Sequence, residues 1–211
     1  MIDLYTARTP NGQKVAIMLE ECGQAYRTHM VDLAGGAQFL PDFMGINPNS
    51  KIPAIVDHVG EGDAIHVFES GAILIYLAEK CGAFLPAGAG PRSACLSWLF
   101  WQVGGVGPAI GDANHFANEA PEKSAYAINR FSAEAARLVQ VMDTRLEASP
   151  FLAGDYSIAD MASYPWIAVA LDAICSARPE IAGEGRHVRR WLIEVGARPA
   201  VLRGMNVGRR D

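Results

Sequence analysis

The sequence predicts two structural halves: an α/β half with a mixed sheet over residues 1–81 and an all-helical bundle over residues 92–211, joined by a linker at 82–91. Three observations point there. Strand and helix signals alternate through the first half. Gly82–Pro91 carries two prolines, three glycines and repeated alanines. Beyond it apolar residues recur every three to four positions, with almost no strand pattern.

Ile2–Tyr5 is a short apolar run ended by Thr9-Pro10-Asn11-Gly12. Val15, Ile17, Met18 and Leu19 then keep helical spacing up to Gly23, a C-terminal cap. Tyr26–Val31 reads as a strand broken by Gly35-Gly36, and Phe39, Phe43 and Ile46 suggest a short helix interrupted by proline. Ile52–Val56 and Ala64–Phe68 form a hairpin pattern around the turn-rich stretch His58–Asp63, and Glu69–Lys80 closes this half as a helix. In the second half, Ser93–Val103, Tyr126–Leu146, Ile158–Ala173 and Val188–Val195 read as helices. Gly104–Pro108 predicts a kink or break, because proline removes a donor and glycine adds little rigidity. Ser157 followed by Asp160 is a capping box opening the third of these helices.

Composition narrows the function. Half the 211 residues are hydrophobic and 19% are charged, the balance of a soluble globular chain. Eighteen basic residues against 23 acidic ones, mixed along the chain, provide no basic stripe for nucleic acid. No apolar run approaches the ~20 residues of a bilayer span, and Met1-Ile2-Asp3-Leu4 does not begin a secretory signal, so a cytoplasmic protein without a membrane partner is expected. The cysteines at 22, 81, 95 and 175 form no Cys-x-x-Cys pair. The expectation is structural thiols, with Cys22 packing as a small apolar residue. Histidines at 29, 58, 66, 115 and 187 lack metal spacing, so no metal is expected.

Four segments carry more specific information: Thr9-Pro10-Asn11-Gly12-Gln13-Lys14, Asn47–Ile55, Phe68–Ile73 and Trp98–Gly105. Their order and spacing resemble the glutathione transferase superfamily, and within it the nu-class bacterial glutathione-dependent disulfide-bond oxidoreductases. The resemblance extends along nearly the whole chain. It implies a thioredoxin-like glutathione-binding domain followed by a helical domain, glutathione (reduced or oxidised) as bound co-substrate, and a homodimer.

Glutathione offers two carboxylates, an amine and a thiol, and each needs a partner. By resemblance, a cis Ile52-Pro53 bond presents the Ile52 backbone to the cysteinyl unit; a plain trans proline opening a strand is the other reading. Glu69-Ser70 lies where strand gives way to helix. There unpaired N–H groups and the Ser70 hydroxyl suit a carboxylate and Glu69 suits an ammonium, though an ordinary helix cap has the same look. Thr9 and Asn11 precede the first helix, so hydroxyl, amide and helix dipole can stabilise a thiolate; the same residues also read as a loop and cap. By resemblance these two are the sulfur-facing, catalytic residues, whereas Tyr5 falls within the strand and reads as structural. Gln38 and Arg130 match ligand-contacting positions of the family, and Lys51 can offer charge to a carboxylate. Phe100, Trp101, Asn114, His115 and Phe116 can line a cleft for the second substrate, or simply form core.

The expected activity is reduction of a disulfide by bound glutathione thiolate, with a second glutathione resolving the mixed disulfide. The alternatives are transfer of glutathione to an electrophilic carbon, peroxide reduction, and a non-catalytic interaction module that keeps the fold.

Overall fold

A computed structural model describes residues 1–59 and 62–209, so part of the turn expected at His58–Asp63, and the end of the tail, lie outside the described residues. In chain order the elements are β1 (Ile2–Thr6), α1 (Pro10–Glu21), β2 (Tyr26–Met30), α2 (Pro41–Met44), β3 (Ala54–Asp57), β4 (Ile65–Phe68) and α3 (Ser70–Cys81). Then follow α4 (Ala89–Trp101), α5 (Gly107–Asn114), α6 (Ala125–Glu147), α7 (Ile158–Ala177), α8 (Pro179–Ala182), α9 (Arg186–Gly196) and α10 (Pro199–Met205).

The chain divides into two compact units, one of Met1–Leu85 with the segment from Ala197 onward, the other of Pro86–Gly196. This differs from the boundaries 1–81, 82–91 and 92–211 at both ends. Helix α4 begins at Ala89, inside the stretch expected as linker. Helix α10 packs on α1 of the first unit because Gly204, without a Cβ, lets the two backbones meet; an added Cβ would lie 2.5 Å from Ile17 N and Cα. Gln13 Nε2 donates to Met205 O (3.0 Å) and Arg198 pairs with Glu21 (2.6 and 2.9 Å), fixing that contact.

The first unit holds a four-stranded mixed sheet in the order β2-β1-β3-β4, with β1 parallel to β2 and antiparallel to β3, and β3 antiparallel to β4. This is the thioredoxin-like arrangement expected. Val15–Leu19 of α1 and Ile73, Leu74 and Leu77 of α3 are buried with Ile2, Leu4 and Ile55 of the sheet. Each of these side chains other than the Ala16 methyl contributes roughly 1.5–3 kcal/mol on leaving water. Register decides where the connections emerge. Thr6 pairs with Met30, Tyr5 with Ala54 and Ala54 with Phe68. The C-terminal ends of β1, β2 and β4 and the start of β3 therefore share one end of the sheet.

The other end of the helix pair carries an unexpected neighbour relation. Cys22 caps α1 and Cys81 closes α3, and their sulfurs lie 2.7 Å apart although 59 positions separate them in sequence.

The second unit is all helical. The expected interruption at Gly104–Pro108 is absent as a break: helix continues from α4 through a π-turn at Gln102–Val106 into α5. The wider i→i+5 turn, closed by Gly107 N–H on Gln102 O, takes up the register around Pro108, which has no N–H to give. Helix α7 is long and apolar enough to cross a bilayer, contrary to the expectation that no segment would be. Yet 67% of its most apolar stretch is buried within the fold. The capping box at its start is present and extends further. Asp160 accepts from Ser157 N–H (3.1 Å) and Oγ–H (3.2 Å), and also from Leu152 N–H (3.0 Å) and Trp191 Nε1–H (2.8 Å).

Candidate functional site

Four connections leave the shared end of the sheet: β1 to α1, β2 to α2, the approach to β3, and β4 to α3. They carry Thr9 and Asn11, Gln38, Lys51-Ile52-Pro53, and Glu69-Ser70 respectively. Strand pairing thus brings together residues far apart in sequence.

Thr9 is the N-cap of α1, in extended conformation, and its Oγ1 accepts from Gly12 N–H at 3.3 Å. Pro10 follows in the first turn, where a missing N–H costs nothing. Capping uses an acceptor lone pair of the hydroxyl and leaves its O–H to donate. Asn11 occupies the same first turn, at the positive end of the helix dipole. Gly12 is required there, because a Cβ would run into Thr6 Oγ1 and the Ala7 carbonyl.

The loop before β3 is shaped by buried Asn47, a residue the sequence reading quoted without giving it a role. Its Nδ2 donates to Lys51 O (2.6 Å) and its Oδ1 accepts from Asn49 N–H (2.9 Å). Ser50 takes a left-handed conformation (φ 55°), Lys51 is exposed, and the Ile52–Pro53 bond is cis, as the resemblance implies. Gln38 lies in a 3₁₀ turn, and its buried Oε1 has no hydrogen-bond partner among the described residues. A buried acceptor without a donor is uncommon and suits a ligand N–H.

Glu69 is held at φ 70°, uncommon for a residue with a side chain. Such local strain tends to cluster at binding sites. Ser70 opens α3 and is 7% exposed. Its Oγ accepts from Lys14 Nζ at 3.3 Å. Lys14, 1% exposed, is a candidate site residue that the sequence did not single out. A signal for it existed: it lies three and four positions before Ile17 and Met18, on the apolar stripe of α1 where a lysine is out of place. Burial pushes its amine down to about 7, opposed by the negative charge of Glu69. One buried amine, one hydroxyl and the N–H groups of a helix start stand together here, chemistry that suits a carboxylate, beside an exposed carboxylate that suits an ammonium.

Tyr5, read from the sequence as structural, stacks on His29 (4.6 Å) and meets Phe43 edge-on (6.3 Å). The remaining candidates lie in the second unit. Arg130 is exposed on α6, and its charge is among those lowering the Glu134 carboxyl, behind the Arg137 hydrogen bond. Phe100 is 60% exposed on α4, while Trp101 packs edge-on against Trp98 (5.0 Å). Asn114 donates to Glu119 Oε1 (2.7 Å), and His115 Nδ1 lies 3.5 Å from Glu119 Oε2. Phe116 stacks on Phe131 (5.2 Å). Asn114 and His115 thus come together around Glu119 at the end of α5.

Residues 9–80 match the family model described as glutathione S-transferase, N-terminal domain. The chain is 49% identical to the disulfide-bond oxidoreductase YfcG of Escherichia coli over 95% of its own length and 92% of that protein's. It is 48% identical to YghU, a second disulfide-bond oxidoreductase of the same organism, over 99% and 75%. Among solved structures it is similar to a glutathione transferase from Burkholderia graminis holding two glutathione molecules per subunit (TM-score 0.91, 41% identity, 100% of this chain and 89% of that one). It is also similar to one from Pseudomonas putida holding one glutathione disulfide per subunit (TM-score 0.91, 38% identity, 99% and 92%).

Proposed function

The chain belongs to the glutathione S-transferase family, and from that membership we propose that it is a glutathione-dependent disulfide-bond reductase whose reactive sulfur is supplied by the ligand. The observation that carries this reading is the shared sheet end, where the first turns of α1 and α3 offer hydroxyls and a helix dipole. The unit's own cysteines close the opposite ends of the same helices.

In this reading the γ-glutamyl carboxylate sits against Ser70 and its backbone, with Lys14 behind the hydroxyl and Glu69 beside the ammonium. The Ile52 backbone pairs with the cysteinyl unit as an added strand would. Gln38 Oε1 accepts a ligand N–H, and Lys51 offers its charge to the glycyl carboxylate. A thiol with an ordinary pKa near ~8.5 is mostly protonated at neutral pH. Donation from the Thr9 O–H and Asn11, with the α1 dipole, favours the thiolate. That thiolate attacks one sulfur of a substrate disulfide. A new S–S bond forms, the substrate S–S bond breaks, and the leaving thiolate takes a proton. A second glutathione thiolate then attacks the glutathione sulfur of the mixed disulfide, releasing the other substrate thiol and glutathione disulfide. Relatives holding two glutathiones, or one glutathione disulfide, support a site that accommodates both partners of this second step. We propose a homodimer as the working form, which sedimentation velocity measures directly.

The test is a substrate panel: a small disulfide, an electrophilic arene and a peroxide, each with glutathione, for the wild type and for Thr9→Ala and Asn11→Ala. The disulfide is expected to react fastest and both variants to lose that rate. A preference for the arene or the peroxide assigns the site to transfer or to peroxide reduction instead. Rates untouched by both substitutions overturn the reading.

A further inference from the structure

The sequence spacing of the cysteines suggests unrelated structural thiols, but folding pairs two of them. Cys22 Sγ and Cys81 Sγ are 2.7 Å apart, well inside the contact distance of two non-bonded sulfurs, so a small approach would bring them to the ~2.05 Å of an S–S bond. Both sit where helices stop. Cys22 is the C-cap of α1, and Cys81 is the last residue of α3, followed by left-handed Gly82. Cys81 is exposed and Cys22 half-buried, so a small oxidant reaches the first more readily. Cys95 and Cys175, the other two thiols, both lie in the second unit.

We propose that Cys22 and Cys81 are an intramolecular disulfide site, closed by exchange with a low-molecular-weight disulfide such as glutathione disulfide, which clamps α1 to α3 at the ends away from the candidate site.

The chemistry takes two displacements. The Cys81 thiolate attacks one sulfur of glutathione disulfide; that S–S bond breaks and one glutathione thiolate leaves. Cys22 gives its proton to solvent or to the departing thiolate and attacks Cys81 Sγ, displacing the second glutathione. The protein loses two electrons and two protons, and the oxidant becomes two thiols. Burial, together with the neighbouring thiol and Glu21, holds the Cys22 thiol well above its ordinary range, and both sulfurs face helix C-termini, which disfavour anions. The pair therefore works as a slow bridge and not as a fast redox catalyst of the Cys-x-x-Cys kind. Its consequence lies in what it joins. Helices α1 and α3 start with Thr9-Pro10-Asn11 and Glu69-Ser70 and end with Cys22 and Cys81, so one covalent bond fixes the helix pair that supports the site.

The bridge forms without a ligand in the site, so its test is separate from that of the proposed activity. The full chain is incubated with glutathione disulfide, quenched with a maleimide, digested and mapped by mass spectrometry. The expected result is a Cys22–Cys81 linked peptide, with Cys95 and Cys175 still labelled after unfolding. In Cys22→Ser the reaction is expected to stop at a glutathione adduct on Cys81. A raised melting temperature that reverts on adding a phosphine reductant is expected in the wild type and absent in Cys22→Ser. A chain carrying Cys95→Ser and Cys175→Ser, with the pair intact, repeats the mapping should Cys22→Ser fold poorly. Accumulation of the Cys81 adduct in the wild type to the level seen in Cys22→Ser, or recovery only of dimers linked through Cys81, overturns the proposal.

Discussion

Lys14 Nζ lies 3.3 Å from Ser70 Oγ, joining the N-terminal halves of the two helices that open at the shared end of the sheet. A lysine 1% exposed, held by a neutral hydroxyl, costs stability while charged.

The first prediction concerns stability. The Lys14 amine is pushed from its ordinary 10.5 down to about 7 by burial. Between those values the unfolded chain binds a proton that the folded chain does not, so this group's contribution rises with pH from about 7 upward and is least favourable below 7. The full span amounts to a few kcal/mol, on the order of 5. Urea unfolding at about pH 7 and about pH 9.5 is expected to show a larger gain for wild type than for Lys14→Met. Equal gains would remove Lys14 as the source.

Ligand binding should move the same proton the other way. A γ-glutamyl carboxylate near Ser70 favours the ammonium form of Lys14. Calorimetry in two buffers of different ionisation enthalpy, slightly above neutral pH, is therefore expected to report proton uptake on glutathione binding. Lys14→Met should bind more weakly, by about tenfold or more, and lose that uptake. Unchanged uptake in the variant would place the proton on the ligand.

Thr9 has two roles that substitutions can separate. Thr9→Ser keeps the cap and the donor and should retain most activity. Thr9→Asp caps the helix equally well but presents only acceptors and a negative charge, so it is expected to keep stability and lose about 100-fold or more in kcat/KM. Thr9→Ala should lose both, with about 1 kcal/mol of stability. Melting curves beside disulfide-reduction rates distinguish the three.

Asp160 is the polar hub of the second unit's core. Asp160→Ala strands the Leu152 N–H and the Trp191 Nε1–H without their acceptor and breaks the capping box. At roughly 1–3 kcal/mol per buried orphan, the expected loss is about 3 kcal/mol or more. A denaturation midpoint within error of wild type would contradict the hub.

Gly204→Ala tests the contact between α10 and α1. Its Cβ would meet the Ile17 backbone at 2.5 Å, too close for a side chain to yield. Separating the helices should cost about 1–3 kcal/mol, read from chemical denaturation.

Much of this protein is legible in its residues. Apolar spacing gives α1, α3, α6 and α7, and the hairpin of β3 and β4 follows from alternation. Thr9-Pro10 and Ser157 with Asp160 mark helix starts by their own chemistry. Gly104–Pro108 marked where the regular helix is interrupted but not how, because glycine and proline signal loss of the regular α-helical bond and not whether a wider turn replaces it. The linker ran too far, since Gly88 and Gly90 read as loop while α4 begins between them.

What the sequence determined by itself is local: which segments wind or extend, where helices begin, and which short motifs carry polar chemistry. These depend on residues within one or two turns of each other, whose spacing is written in the chain. Only the tertiary structure decided that Lys14 reaches Ser70 across 56 positions, that Cys22 meets Cys81 across 59, and that Trp191 finds Asp160 across 31. Such partners are chosen by strand register and by which helix faces pack, and no period along the chain encodes which distant side chain will lie opposite.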